Sequence, residues 1–419
     1  MARKGIREYD AKRMLSAALS DYDGRVALVG PENKLEDLTE QHPWLKTEKL
    51  VAKPDQLFGK RGKNGLISLN KDLAGTSAWI SERMNTEKTL LSGVTGTLTH
   101  FIVEPFTVLD GDFEYYLCIE MTADNDVIRL SNKGGVDIES NWDSVIESYV
   151  DPLKGYDPSI IKEAVDALYP EDQRETITKF VGEVFGHYAV GGYTYLEINP
   201  FTISGGKALP LDMVAKVDDT AEFECRNIWG DMSYPAPFGQ QLTEEERLIR
   251  DVDAKTGASL KLRILNPKGR VWNMVAGGGA SVVYADTVCD LGHSKELAMY
   301  GEYSGNPNTQ NTYIYAKTVI DLMTREKDPE GRPKLFLLGG GIANFTDIAK
   351  TFTGIIMAFE EYAEKMKETN VRIYVRRGGP NYEEALVNIR AAAEKLGLPI
   401  EVHGPESHMT QIVADALTN

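Results

Sequence analysis

The sequence predicts an α/β protein whose second half is a doubly wound parallel sheet, and three observations lead there. From about residue 265, five short strand-like runs (270–276, 299–303, 334–338, 371–376 and 399–403) alternate with helix-period segments near 281–290, 309–325, 345–366, 381–396 and 408–417. Strands that alternate with helices build parallel sheets. The run over 334–338 is also short and apolar, as strands covered on both faces tend to be. Finally, four of the runs lead into glycine-rich corners: Gly277-Gly-Gly279, Gly301-Glu-Tyr-Ser-Gly305, Gly339-Gly-Gly341 and Arg377-Gly-Gly379. Right-handed crossovers would bring these corners to one edge.

The first half has a different grammar, with strands that return on themselves. Residues 7–20 carry helical spacing, with Tyr9, Met14, Leu15 and Leu19 expected inward. Residues 25–29 predict a strand and 31–41 a helix. A short strand over 50–53 leads into the loop Gly59-Lys-Arg-Gly-Lys-Asn-Gly65, and 66–69 returns. This is either a phosphate-facing hairpin with three basic residues or a plain exposed one. Strands are expected at 98–104, 114–121 and 127–130, and helices near 158–168 and 171–188. Residues 193–200 predict a strand closed by Pro200, and 208–214 runs back after Gly205-Gly206. Residues 225–250 resemble a linker, because Pro235-Ala-Pro237 and the charged run Glu244-Glu-Glu-Arg247 interrupt the pattern. The expected domains are therefore 1–240 and 250–419.

Composition narrows the partners. The 419 residues carry a net charge of −17 and no long basic run, which argues against nucleic acid and anionic membranes. Cys118, Cys225 and Cys289 are odd in number, far apart and in no metal or redox motif, so a reduced, cytoplasmic setting is expected. The basic start (Arg3, Lys4, Arg7) precedes no apolar run, so no signal peptide is expected, and nothing approaches the length of a membrane span. Asn344-Phe-Thr346 fits a glycosylation pattern, but it lies at an expected helix start in a chain with no secretion signal.

An acidic protein that binds an anion must gather positive charge locally. The strand over 334–338 runs into Gly339-Gly-Gly341, and Ile342-Ala-Asn-Phe-Thr346 is expected to open a helix. The first amides of a helix favour an anion. The next strand ends in Arg376-Arg377, and ligands of open α/β sheets bind beyond strand carboxyl ends. Asn344, Thr346 and an arginine fork would then face one acid. The spacing equally allows Asn344 and Thr346 to be helix caps and Arg377 a surface residue. In the first half, Glu197, Asn199 and Asp212 would lie close across a hairpin, as a magnesium site shared with a nucleotide or as a solvated turn. Neither a Walker loop nor a G-x-G-x-x-G fingerprint occurs.

Leu196-Glu-Ile-Asn-Pro200 with Leu211-Asp212 resembles the ATP-grasp metal hairpin of the succinyl-CoA synthetase beta-subunit superfamily. Nearly the whole chain is closer still to the amino-terminal part of the ATP-citrate lyase family, most specifically over Val51–Gln56, Tyr195–Pro200, Asp253–Leu262, Met274–Tyr284, Tyr300–Gly305, Ile342–Thr346 and Val375–Tyr382. The resemblance implies an ATP-grasp domain followed by a flavodoxin-like, citrate-binding domain. It implies ATP contacts from Lys53, Arg61, Gly62, Pro105, Thr107 and Glu114. Lys60 stands where the family often has arginine. Magnesium would be held by Asn199 and Asp212. A second cation site would involve Asp253 with Thr256 and Ala258, unless Asp253 is a helix cap. Citrate would be held by Gly305, Asn344, Phe345, Thr346, Tyr362 and Arg377, with Gly341 replacing a serine of some relatives. A straight helix from Thr346 to Tyr362 spans roughly 24 Å, so Tyr362 can join only if that helix breaks, as at Gly354.

The family's chemistry passes phosphate from ATP through a histidine to citrate, and citryl-CoA is then cleaved to acetyl-CoA and oxaloacetate. None of the six histidines here lies in a Gly-His-Ala-Gly-Ala setting, and no citrate-synthase-like region is recognisable. The implied protein is thus the ATP- and citrate-binding subunit of a hetero-oligomer. A larger partner would bring the phosphohistidine, most of the CoA binding and the cleavage domain. A citryl-CoA synthetase subunit, a succinyl-CoA synthetase-like subunit and a non-enzymatic citrate sensor remain open alternatives.

Overall fold

The computed structural model describes residues 3–108, 113–135, 138–240 and 242–418. The chain forms two compact units, Met1–Gln241 and Leu242–Asn419.

In the first unit β1 (Arg3–Ile6) leads into α1 (Glu8–Ser16), followed by β2 (Ala27–Val29), β3 (Leu50–Pro54) and β4 (Ser68–Lys71). Next come α2 (Leu73–Arg83), β5 (Glu87–Thr89), β6 (Thr95–Thr97), β7 (Phe101–Pro105), β8 (Tyr115–Met121), β9 (Asp126–Ser131) and β10 (Ile146–Val150). Helices α3 (Lys162–Leu168) and α4 (Arg174–Val190) precede β11 (Tyr193–Ser204), β12 (Lys207–Pro210), β13 (Met213–Asp218) and α5 (Glu222–Trp229). The larger sheet runs β1-β13-β11-β8-β9-β10, with β12 paired to β11, and the smaller runs β2-β7-β3-β4. Helices α1, α3 and α4 bury one face of the larger sheet, where Leu117, Ile119, Ile128, Val181, Leu196 and Ile198 form the core.

The second unit holds α6 (Glu244–Ala254), β14 (Ser259–Ile264), β15 (Val271–Ala276), α7 (Gly278–Val288), β16 (Met299–Ser304) and α8 (Thr309–Thr324). It continues with β17 (Lys334–Gly340), α9 (Ile348–Glu368), β18 (Val371–Arg376), α10 (Tyr382–Leu396), β19 (Ile400–His403) and α11 (Gln411–Thr418). The sheet order is β14-β16-β15-β17-β18-β19, with β14 antiparallel on the edge and the rest parallel. Numbered among themselves, the parallel strands run 2-1-3-4-5, the flavodoxin-like order, whose switch point lies between β15 and β17. Helices α8, α9 and α10 cover one face, and α7 and α11 the other. The four glycine corners do share one edge, because their strands are parallel.

Several expectations are corrected. Residues 31–41 hold only a single turn, Leu35–Leu38, because Asn33 turns back on Gly30 and Asp37 caps the backbone of Lys34. Residues 225–250 are not a linker: α5 and α6 occupy both ends. The acidic run is the first turn of α6, closed by a capping box in which Thr243 and Glu246 bond each other's backbone N–H at 3.2 and 2.9 Å. Pro200 does not close β11, since it falls where the pairing with β8 shifts register and the strand resumes beyond it. Tyr9 is only half-buried, and Glu8 and Lys12 turn inward instead. Elements β1, α2, β5, β6, β10 and β14 are also present without having been expected. The turn expected between Pro105 and Glu114 lies partly outside the described residues.

Candidate functional site

Two sites emerge, one in each unit. In the first, a cavity of about 610 Å³ is lined by Lys53, Pro105, Thr107, Glu114 and Asp212, all expected, and by Tyr22, Arg25 and Glu104, which were not. At its polar end three cations meet three carboxylates. Glu8 lies 2.8 Å from Lys53, 3.0 Å from Lys12 and 2.8 Å from Arg61. Glu104 pairs Lys12 at 2.6 Å and Lys53 at 3.2 Å. Asp212 pairs Arg61 and stands 3.7 Å from Lys53. The Leu211 carbonyl accepts from both lysines, at 2.9 and 2.7 Å. Burial alone would raise the Glu8 pKa, but Lys12, Lys53 and Arg61 overcome it and hold the carboxyl well below its ordinary range.

The fold sets Glu8 in place from behind. The carboxylate of Asp55, just after β3, accepts from the N–H groups of Glu8 and Tyr9 at 2.8 and 3.1 Å and so caps α1 from a distant strand. Glu8, Lys12, Leu15 and Leu19 follow i, i+4, i+7, i+11 spacing, so the charged pair continues the buried stripe. That spacing was the signal available for Glu8 and Lys12: charge on an inward stripe demands partners.

Asn199 and Asp212 face each other across the hairpin, where the Asn199 N–H donates to the Asp212 carbonyl at 2.9 Å. The Asn199 amide also clasps Gly135, accepting from its N–H at 2.6 Å and donating to its carbonyl at 3.3 Å. Gly135 adopts φ +82°, and a Cβ there would lie 2.2 Å from the Glu114 carboxylate. The Gly134-Gly135 turn thus ties the Glu114 wall of the cavity to Asn199. Glu197 does not join them; it accepts from Tyr195 instead. Gly62 is exposed in the loop after Arg61.

In the second unit the expected helix begins late. Asp347, not Asn344 or Thr346, caps α9, accepting from Lys350 N–H at 3.2 Å, while Ile348 N–H is taken by Pro380 at 3.0 Å. The expected cluster of unpaired helix amides is therefore mostly satisfied. Asn344 and Phe345 are exposed and Thr346 is buried in the loop ahead of the cap. Gly305 ends β16 with φ +73°, and next to it Asn306 accepts from Asp347 N–H at 3.4 Å.

The two adjacent arginines divide. Arg376 spends its guanidinium on the carbonyls of Gly340, Pro405 and Ser407. Arg377 is 1 % exposed and donates only from Nη1, to Gly341 at 3.0 Å. Its Nε and Nη2 have no partner. Gly340 makes room for it, since a Cβ there would sit 2.3 Å from Nη1. Tyr362 is a correction: α9 runs unbroken through Gly354, and the Tyr362 hydroxyl bonds Asp321 at 3.3 Å, away from the corner. The Asp253 carboxylate is already used by Leu260 N–H at 2.7 Å and Lys261 at 2.5 Å, with Thr256 and Ala258 in the same turn, which is a tie between α6 and β14 rather than an open cage.

No described helix is long and apolar enough to cross a membrane. The sequence matches the ATP-citrate synthase ATP-grasp domain family over residues 2–229 and the ATP citrate lyase citrate-binding family over 240–419. It is 47 % identical to an ATP-citrate synthase alpha chain of Oryza sativa subsp. japonica, covering all of this chain and 98 % of the relative. It is 44 % identical to ATP-citrate synthase of Homo sapiens, where it spans 38 % of the relative's length. Among solved structures, ATP citrate lyase from Methanothrix soehngenii in complex with citrate and coenzyme A matches over the full length of both chains at 50 % identity, with a TM-score of 0.88.

Proposed function

This chain belongs to the ATP-citrate synthase family, and we propose that it serves there as the subunit that binds ATP and citrate. Residues 1–240 form the ATP-grasp domain and 250–419 the citrate domain. The adenosine occupies the cavity walled by Pro105, Thr107 and Glu114, and the phosphates meet Lys53, Arg61 and the Gly62 loop. Magnesium fits the donors at hand. The Asp212 carboxylate lines the cavity, and the Asn199 amide oxygen keeps a second lone pair besides the one given to Gly135. The ion would neutralise phosphate charge. As the triphosphate arrives, Lys53 and Arg61 exchange carboxylate for phosphate oxygens, and Asp212 is released from Arg61.

Citrate is gripped by Arg377, beside Gly305, Asn344, Phe345 and Thr346. The observation that carries this reading is the buried guanidinium with two unpartnered nitrogens in a protein of net charge −17. A buried cation is stable only when paired, and the free edge of a guanidinium matches a carboxylate fork. Because Arg377 is covered, the acid reaches it only by displacing part of the Gly341–Thr346 corner. A larger partner chain supplies the phosphohistidine, the CoA site and the cleavage of citryl-CoA to acetyl-CoA and oxaloacetate.

Calorimetric titration of the chain with citrate, succinate and Mg-ATP tests this. Citrate binds more tightly than succinate, and Arg377→Ala weakens citrate at least about 100-fold, the loss expected for one partner of a buried charge pair. Mg-ATP affinity stays unchanged. Undiminished citrate affinity in that variant refutes the site.

A further inference from the structure

A second buried group at the same edge is also unsatisfied. Tyr303, next to last in β16, has 0 % of its surface exposed, and its hydroxyl has no hydrogen-bond partner. Other buried tyrosines of this unit are served: Tyr315, whose ring lies 6.4 Å away, donates to the Lys261 carbonyl at 2.7 Å, and Tyr284, on the other face of the sheet, donates to the Met409 carbonyl at 2.5 Å. Native interiors pair nearly all such groups, because an orphan hydroxyl gives up its hydrogen bonds to water and gains none in return.

Tyr303 and Arg377 lie on one face of the sheet. Tyr303 packs in the core that holds Met274, Leu338 and Val375. Successive residues of β17 point opposite ways: Gly339 faces Tyr284 on one side, and Gly340 faces the Arg377 guanidinium on the other. The absent Cβ of Gly340 lets that guanidinium lean across the end of β17 toward Ala276 of β15, whose oxygen lies 3.0 Å from the same Cβ position. The next strand over is β16, which carries Tyr303. Burial raises the phenol's pKa and Arg377 pulls it back down, so the charge is felt there. Yet neither group bonds the other, so unused donors stand on strands at either side of the switch point.

We propose that Tyr303 is a further contact to the bound acid, its O–H donating to a carboxylate oxygen of the molecule that Arg377 grips. The contact rests on the citrate reading above. It places a neutral donor beside the charged fork, at the inner end of the site.

The test is Tyr303→Phe, titrated with citrate and with Mg-ATP and melted with and without citrate. The expected result is about a tenfold rise in citrate Kd, as for loss of one hydrogen bond to a charged group. Mg-ATP affinity stays at the parent value. The melting temperature without citrate stays level or rises, because phenylalanine removes an orphan hydroxyl, while the rise given by citrate shrinks. A merely structural role would lower the citrate-free melt and leave the citrate-induced rise intact, and that result overturns the proposal. Parent-like citrate affinity in Tyr303→Phe with binding lost in Arg377→Ala also overturns it, and leaves the site standing. If both variants bind citrate normally, the site itself falls.

Discussion

The two units treat positive charge in opposite ways. In the first, Lys12, Lys53 and Arg61 are matched by Glu8, Glu104 and Asp212 within 3.7 Å. In the second, Arg377 is buried with two nitrogens unpaired and, among the described residues, no carboxylate paired to it. A matched network is stable without its ligand and must trade partners to bind one. An unmatched cation is a cost that only a ligand relieves. The comparison separates a site that rearranges from a site that waits.

Upsetting the match should have the largest effect. Glu8→Gln leaves the three cations with two carboxylates, at a position where Glu8 and Lys12 are themselves buried. Breaking one side of a buried pair costs roughly 3–5 kcal/mol. Urea unfolding followed by a probe in the first unit should show that loss, with citrate affinity untouched. A loss under about 1 kcal/mol would mean that the network is not balanced as described.

The same contrast explains what could be read beforehand. The parallel sheet of the second unit was legible because its short strands alternate with segments of helical period and end in glycine-rich corners. In the first unit β5 is Glu-Lys-Thr, exposed and without alternation, so periodicity has nothing to register. The start of α6 is legible in principle: Thr243 and Glu246 fit the S/T-x-x-E signature, but a charged run after Pro235-Ala-Pro237 fits a break equally well. For the sites, the family resemblance supplied Pro105, Thr107 and Glu114, which line the cavity, and spacing put forward Arg377. Spacing could not reveal that Arg376 is consumed by carbonyls while Arg377 is left free, because alternation puts adjacent residues on opposite faces without telling which face offers the carbonyls. Glu8 and Glu104 were missed for a related reason: cations suggest a phosphate site, and the carboxylates that hold them there do not.

Acid should unbalance the first unit a second way. His187 is buried on α4, its Nε2 3.1 Å from the Tyr193 hydroxyl, and burial lowers its pKa to about 4. The unfolded chain therefore takes up a proton first as pH falls below about 6.5, and stability is lost between roughly 6.5 and 4. Asp55 works the other way, since burial lifts its pKa to about 6 and the folded state protonates first. The difference between the parent and His187→Phe isolates the histidine. The parent should lose ~2–3 kcal/mol more than the variant over that range. Parallel pH profiles would show that His187 is not held neutral by the fold.

The smallest effect carries the opposite sign, and it is the sharpest use of the comparison. If Arg377 is an unmatched charge, an apolar side chain of similar length should suit the ligand-free protein better. Arg377→Met gives up one bond, from Nη1 to the Gly341 carbonyl, and that carbonyl is near enough to solvent to find water. In return it removes a buried cation and two orphan donors. Replacing buried charge with apolar volume is commonly neutral or stabilising. We expect the second unit to gain about 1–2 kcal/mol without citrate, seen as a higher transition in calorimetry. Citrate should then reverse the ranking. At a hundred times its Kd a ligand stabilises the protein that binds it by ~2.7 kcal/mol, and only the parent binds. A crossover in melting order on adding citrate is the signature of a cation kept for its ligand. If Arg377→Met is less stable than the parent with and without citrate, the arginine is a structural residue and the contrast between the two units dissolves.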